Sequence, residues 1–300
     1  MIAFGSSVID PEPYRRYAEP GLRLAAEPDS EIYAFAPAGS MPRTFNLILD
    51  VAGRRDDLEA LVLVHPHAEI ADPDFCGHVR EALRDPRVGV AGCVGATGVR
   101  SIAWWEGKVR SAEVRHRYVD HGGGELPAFS WAQPEPAPGE VECVDGLLLV
   151  LSPWVVRNLR FDEALATNFG VELDFCLQVR AAGRKVVVAN LPTIHHRALR
   201  LVDETEAWVE AHIRVAEKWD GRMPGAERNG DDWKARARRA EAEREAARAF
   251  AQANLLARDA RVQNLERALE EVTGTRSWRL TEPLRRLNHW RAQRRASSRR

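Results

Sequence analysis

A chain of 300 residues with 43 Lys and Arg against 44 Asp and Glu, net charge -1, has the length for one substantial α/β core plus an appendage. It contains no run of the roughly 20 apolar residues that a membrane span needs, which excludes an integral membrane protein as the expectation. The start Met-Ile-Ala-Phe-Gly-Ser-Ser lacks a basic leader, and Cys76, Cys93, Cys143 and Cys176 form no C-x-x-C pair, so buried free thiols in a reducing cytoplasm are expected rather than a disulfide framework or a zinc knuckle.

In chain order, Ile2 to Ile9 reads as a first strand ending in polar Ser6 and Ser7, and Pro13 to Leu24 as the following helix, with Tyr14, Tyr17 and Leu24 toward the core. Glu31 to Ala36 is a second short strand, and the run from Gly39 turns into a helix through Ala52. The apolar run within Leu58 to His65 suits a buried parallel strand, which completes a βαβαβ pattern. Asp74 to Arg84 reads as helix and Val88 to Gly92 as strand, while Gly107 to Glu140, rich in Gly, Pro and polar residues, reads as an irregular hairpin or mobile loop. Val141 to Leu151 and Lys185 to Ala189 complete the sheet. The expected division is 1–225 as the α/β domain and 226–300 as a helical tail.

That tail turns to Ala, Arg and Glu beyond about residue 225, the composition of a long exposed helix. Leu255, Val262, Leu265, Leu269 and Val272 recur at a/d-like spacing, which supports a short coiled coil and self-association through 250–273. After Glu271 the only acid is Glu282, against nine arginines. This basic end suits contact with an anionic membrane surface, so the expected location is cytoplasmic with peripheral contact at the inner face. The first 225 residues show no nucleic-acid module, and no specific nucleic acid is expected as a partner.

Three acids stand where open α/β sheets place ligand contacts. Glu172 and Asp174 sit two apart at the opening of an amphipathic helix, whose N-terminal dipole tolerates negative charge and lets a carboxylate project into a cleft. That placement suits a catalytic pair in which Glu172 is the general base and Asp174 orients the helix terminus; simple charge compensation at the helix start is the alternative. Asp145 with Gly146 is either an acceptor contact or a locally bonded turn. Ser6, Ser7 and Ile9, just after the first strand, would line a nucleotide pocket. The adjacent Trp104 and Trp105 suit one stacking and one packing role.

Four segments in order, over about residues 1–225, resemble the family 2-like, StrF-like group of GT-A-fold glycosyltransferases. They are Ser40-Met41-Pro42-Arg43-Thr44-Phe45-Asn46; Gly89-Val90-Ala91-Gly92 followed by Trp104-Trp105; Asp145-Gly146; and Val171-Glu172-Leu173-Asp174. The tail run from Thr275 to Arg285 resembles an element that follows helical segments in bacterial glycosyltransferases. The resemblance implies a GT-A (Rossmann-like) α/β fold with a mixed, mostly parallel sheet flanked by helices, followed by a helical or coiled-coil tail. It also implies an inverting enzyme that moves a sugar from a nucleotide-sugar donor to a saccharide or lipid-linked acceptor, as in cell-surface polysaccharide, glycolipid or metabolite glycosylation. Glu172 aligns with the family's base, and Ser40, His65 and His67 fall on the donor side. Where the family commonly carries Asp-x-Asp or His-x-Asp to hold Mn²⁺ or Mg²⁺, this chain has His65-Pro66-His67. A divalent metal held by His67 and His195 is one expectation. Imidazoles bonded to phosphate or backbone without metal are the other, and a non-catalytic nucleotide- or sugar-binding partner protein is the alternative function.

Overall fold

The computed structural model describes residues 1–112, 114–118, 124–126, 135–136, 138–165, 168–197, 204–224, 234–275, 278 and 280–281. Two compact units are distinguished, Met1–Gln252 and Ala253–Arg300.

The first unit opens with β1 (Ile2–Ser7), wholly buried. A helical stretch comes next, made of α1 (Pro11–Pro13), a π-turn (Tyr14–Ala18) and α2 (Glu19–Ala25). Asp10 caps its start by accepting the Glu12 N–H. The π-turn has a local cause: Pro20 has no N–H to offer the carbonyl four residues back and its ring crowds it, so the turn before it widens. The extra residue rotates the next turn of helix, so Leu22 is buried and Leu24, expected in the core, is exposed. Next come β2 (Glu31–Phe35), α3 (Met41–Ala52) and β3 (Ala60–Val64), the last buried at all five positions.

Then come β4 (Ala68–Ile70), α4 (Phe75–Ala82), β5 (Val88–Gly92), β6 (Val94–Thr97), β7 (Lys108–Ser111), β8 (Val114–Tyr118), β9 (Gly124–Leu126), β10 (Glu135–Pro136), β11 (Gly139–Val141), β12 (Cys143–Val144) and β13 (Leu148–Leu151). The segment expected as an irregular hairpin or mobile loop holds short strands, of which β8 and β9 pair antiparallel. The run Val141 to Leu151, expected as one strand, is split among three: β11 and β13 belong to the largest sheet and β12 to another, and Asp145-Gly146 turns the chain between β12 and β13. The unit continues through α5 (Pro153–Asn158), α6 (Val171–Ala181), β14 (Lys185–Val188), β15 (Thr193–Arg197) and α7 (Thr205–Lys218) to α8 (Lys234–Gly274), which runs on into the second unit.

A seven-stranded sheet in the order β11-β14-β5-β13-β3-β1-β2 forms the core. β3, β1 and β2 are mutually parallel, β5 pairs parallel with β14, and β13 and β11 run against their neighbours. Five strands thus share one direction, giving the mixed, mostly parallel sheet flanked by helices. Two four-stranded sheets, β10-β7-β6-β12 and β4-β15-β8-β9, stand beside it. Because β13 is reversed, its start lies at the same rim as the ends of the parallel strands β1 and β3.

All four cysteines are buried and unpaired in disulfides. In α8 the expectation of an exposed helix holds only in part, because Ala242, Glu245, Ala246 and Ala249 are buried in the first unit. Among the described residues no helix is long and apolar enough to cross a membrane. The arginine cluster from Arg285 onward lies outside the described residues.

Candidate functional site

At the rim where β1 and β3 end and β13 begins, a cleft of about 280 Å³ opens, the position in which open α/β sheets gather ligand contacts. Ile9 follows β1, Met41 starts α3, and His65 follows β3. Asp145, Gly146 and Leu147 lead into β13. Asn168, Phe169, Gly170 and Glu172 enter α6, His195 comes from β15, and Ile102, Trp104, Trp105 and Trp208 make an apolar wall.

Glu172 reaches the cleft because α6 starts on Gly170, whose φ of 71° is left-handed. A side chain there would be strained, and its Cβ would stand 2.6 Å from Ile102 Cγ2. The carboxyl of Glu172 lies beside the Asp145-Gly146 turn: a Cβ on Gly146 would be 3.8 Å from Glu172 Oε2. The carboxyl is half-buried, and its pKa is pushed up to about 8, first by burial and then by the negative charge of Asp145. Asp145 is itself held, since its Oδ1 accepts the Leu147 N–H at 2.7 Å. The Leu147 carbonyl in turn accepts the His65 N–H at 3.0 Å. The expected local turn and the cleft-facing position therefore coexist.

Asp174 lies on the other side of the helix, fully buried. It accepts from Trp219 Nε1 at 2.7 Å and Gln178 Nε2 at 2.8 Å, and pairs with Lys218 Nζ at 2.7 Å. Ser40 N-caps α3, accepting the Arg43 N–H at 3.3 Å. Ser6 and Ser7 are buried at the end of β1, and neither hydroxyl has a hydrogen-bond partner. None of these four lines the cleft.

The histidines gather on neighbouring turns and strands. His195 stands opposite His116 of β8 in register, with ring centroids 5.2 Å apart, and 6.4 Å from His65. His67 sits 5.4 Å from His65 and donates from Nδ1 to the His196 carbonyl at 3.0 Å. His196 stacks on Tyr17 at 3.8 Å and donates from Nε2 to Glu69 at 2.5 Å. A hard divalent ion wants several oxygen donors converging on one point. Here the carboxylate on β4, Glu69, is taken by His196, and among the described residues no three of His, Cys, Asp and Glu are placed to hold an ion. The described residues do not fit a Mn²⁺ or Mg²⁺ site.

Some residues at the site escape a sequence reading. Trp208 left a signal, since Trp208, His212 and Val215 recur at helical spacing and are buried. His116 left none, lying in a stretch whose composition reads as loop.

A family model described as a glycosyltransferase-like family matches residues 4–216. The streptomycin biosynthesis protein StrF of Streptomyces griseus is 27% identical over 236 residues, 77% of this chain and 79% of that protein. Among solved structures, the mannosyltransferase PcManGT from Pyrobaculum calidifontis in complex with GDP-Man and Mn²⁺ superposes with a TM-score of 0.45 at 13% identity, covering 93% of this chain and 81% of that one. GalNAc-T7 with UDP, GalNAc and Mn²⁺ superposes with a TM-score of 0.46 at 10% identity, covering 80% and 53%. With the family match spanning well over half of its length, the chain belongs to the glycosyltransferase-like family.

Proposed function

We propose that the protein is an inverting glycosyltransferase that moves a sugar from a nucleotide-sugar donor to a hydroxyl of a saccharide or lipid-linked acceptor. The observation that carries this reading is Glu172, a half-buried carboxyl with its pKa pushed up to about 8, facing a cleft walled by tryptophans at the ends of the parallel strands. A general base works best with a pKa near the working pH, and burial supplies that shift.

Glu172 takes the proton of the acceptor hydroxyl, whose oxygen attacks the anomeric carbon. The bond from that carbon to the diphosphate breaks on the opposite face, the nucleotide leaves with the electron pair, and the configuration inverts. Asp145 and Gly146 receive the acceptor, with Trp104 and Trp105 against the sugar face, where aromatic rings pack well on apolar C–H surfaces. The nucleotide lies toward the end of β1, where the side chain of Ile9 lines the cleft; Ser6 and Ser7 are buried behind it and do not touch the donor directly. His65 and His195 stand on the diphosphate side as N–H donors, which suit developing negative charge. Asp174 acts on the reaction only by fixing α6.

The catalytic domain is read as 1–225 with a helical tail from 226, and the apolar seam of α8 supports self-association through 250–273. The arginine-rich end, by its charge, suits an anionic lipid surface.

The test is to incubate the full chain with a panel of nucleotide sugars and follow nucleoside diphosphate release in EDTA, Mg²⁺ or Mn²⁺, beside Glu172→Gln and His67→Ala. Release in wild type that Glu172→Gln abolishes supports the reading. Nucleotide binding without release in any metal, with acceptor mixtures present, overturns it in favour of a non-catalytic binding partner.

A further inference from the structure

The cleft's tryptophan wall is braced from behind by a helix that lies outside the family match. Residues 242–249 belong to α8, beyond the matched 4–216, yet one face of this segment, Ala242, Glu245, Ala246 and Ala249, is buried within the first unit. Ala242, Ala246 and Ala249 give this helix a small-residue face, and among them stands Glu245, 3% exposed. A carboxylate placed there loses its hydration, a cost that only specific partners offset. It has two. Ser101, 5% exposed, donates its hydroxyl to Glu245 Oε2 at 2.7 Å, and the same oxygen lies 3.2 Å from Nδ1 of His212, 2% exposed. The second contact is within ion-pair range without hydrogen-bond alignment, so Ser101 is the directional partner.

Each partner is one step from the cleft. Ser101 Oγ also accepts the Ala103 N–H at 3.2 Å, which fixes the backbone that presents Ile102, Trp104 and Trp105. The His212 ring packs on Trp208 at 5.5 Å, and Trp208 lines the same cleft. At the solvent edge Arg248 reaches Glu106, the residue after Trp105, at 3.4 Å.

We infer that Glu245 is a positioning residue for the acceptor wall: through Ser101 and His212, α8 sets the spacing between Trp104–Trp105 and Trp208, and thereby which acceptor the cleft admits. The inference rests on the proposed transferase activity only for its kinetic consequence.

The test therefore has two arms. In the first, the full chain is labelled with 5-fluorotryptophan, and its ¹⁹F resonances are assigned by single Trp→Phe changes in wild type, Glu245→Ala and Glu245→Gln. The resonances of Trp104, Trp105 and Trp208 are expected to shift or broaden in Glu245→Ala while the other six stay, and Glu245→Gln, which can still accept from Ser101, is expected to stay near wild type. Ser101→Ala serves in place of Glu245→Ala if that variant does not fold. A folded variant whose three wall resonances stay put overturns the inference. In the second arm, methyl β-D-glucoside and methyl α-D-mannoside serve as acceptor probes with whichever nucleotide sugar wild type turns over. Losing one charge-assisted hydrogen bond is expected to raise the acceptor KM by about tenfold at unchanged donor KM. Equal changes in both constants, or none, would mean that the wall is set elsewhere. If wild type releases no diphosphate at all, the transferase reading fails, and the fluorine arm still decides the role of Glu245.

Discussion

A carboxyl with a pKa of about 8 is mostly protonated at neutral pH, whereas a base must have lost its proton. If Glu172 is that base, kcat/KM of the free enzyme should climb with pH along an acid limb whose midpoint lies near 8. The same shift carries a stability signature of fixed sign. Between the ordinary value of 4.5 and about 8 the folded chain holds a proton that the unfolded chain has released, so this group makes the protein less stable as pH rises through that window. Glu172→Gln should therefore melt higher than wild type at pH 8 and above, with the gap closing below about pH 4.5. Calorimetry of both proteins across pH 4 to 9 checks this, and a constant gap would show that burial does not set the Glu172 pKa. Asp174, buried away from the cleft, is spent on hydrogen bonds inside the domain. Asp174→Ala strands the buried Trp219 indole N–H, while Lys218 keeps Asp162, and should cost about 1–3 kcal/mol in urea unfolding, whereas Asp174→Asn should cost less because an amide oxygen still accepts from Trp219.

Among the elements, α3 shows how a short motif is spent on architecture. Asn46, in the segment that carries the family resemblance, accepts the Phe161 N–H at 2.8 Å and donates to the Phe161 carbonyl at 3.0 Å and to Glu163 Oε1 at 3.1 Å. It ties α3 to the chain before α6. Asn46→Ala leaves a buried N–H and C=O unpaired and should lower stability by about 2 kcal/mol, read from the urea midpoint at unchanged m-value. The elements most legible in the sequence were those with one dominant local signal: the apolar runs of β3 and β5 and the acids at the start of α6. Those that were not depended on partners far away in sequence. Whether Leu22 or Leu24 faces inward turns on one extra residue in a π-turn, and the splitting of 141–151 turns on which sheet each piece meets. The buried face of α8 is written in alanines, whose periodicity is weak, and Glu245 sits in a run of Ala, Arg and Glu that reads as solvated surface. Of the cleft, Asp145, Glu172, His65 and the paired tryptophans could be read from the chain; His116, which packs behind His195, and the α8 brace could not, because nothing local marks them.

For the whole molecule, the second unit presents Leu255, Val262, Leu265, Leu269 and Val272 exposed along one helix, in a/d register with Arg258 at one intervening d position. In a parallel, in-register pair Arg261 at g would face Glu266 at e of the partner copy, an attractive combination. Light scattering should show a dimer that Leu265→Glu converts to monomer, and the mixed pair Arg261→Glu with Glu266→Arg should re-form better than either variant alone. A monomer at all concentrations would remove the self-association reading.

The hydrogen bond from His65 to Leu147 joins the turn after β3 to the turn before β13, because those strands are antiparallel neighbours in the sheet. For protein engineering this makes the two turns one backbone frame. Because the bond joins backbone groups, any residue but proline at position 65 keeps it, so side chains at 65–67 can be exchanged while Asp145 and Gly146 stay registered by the β3–β13 ladder.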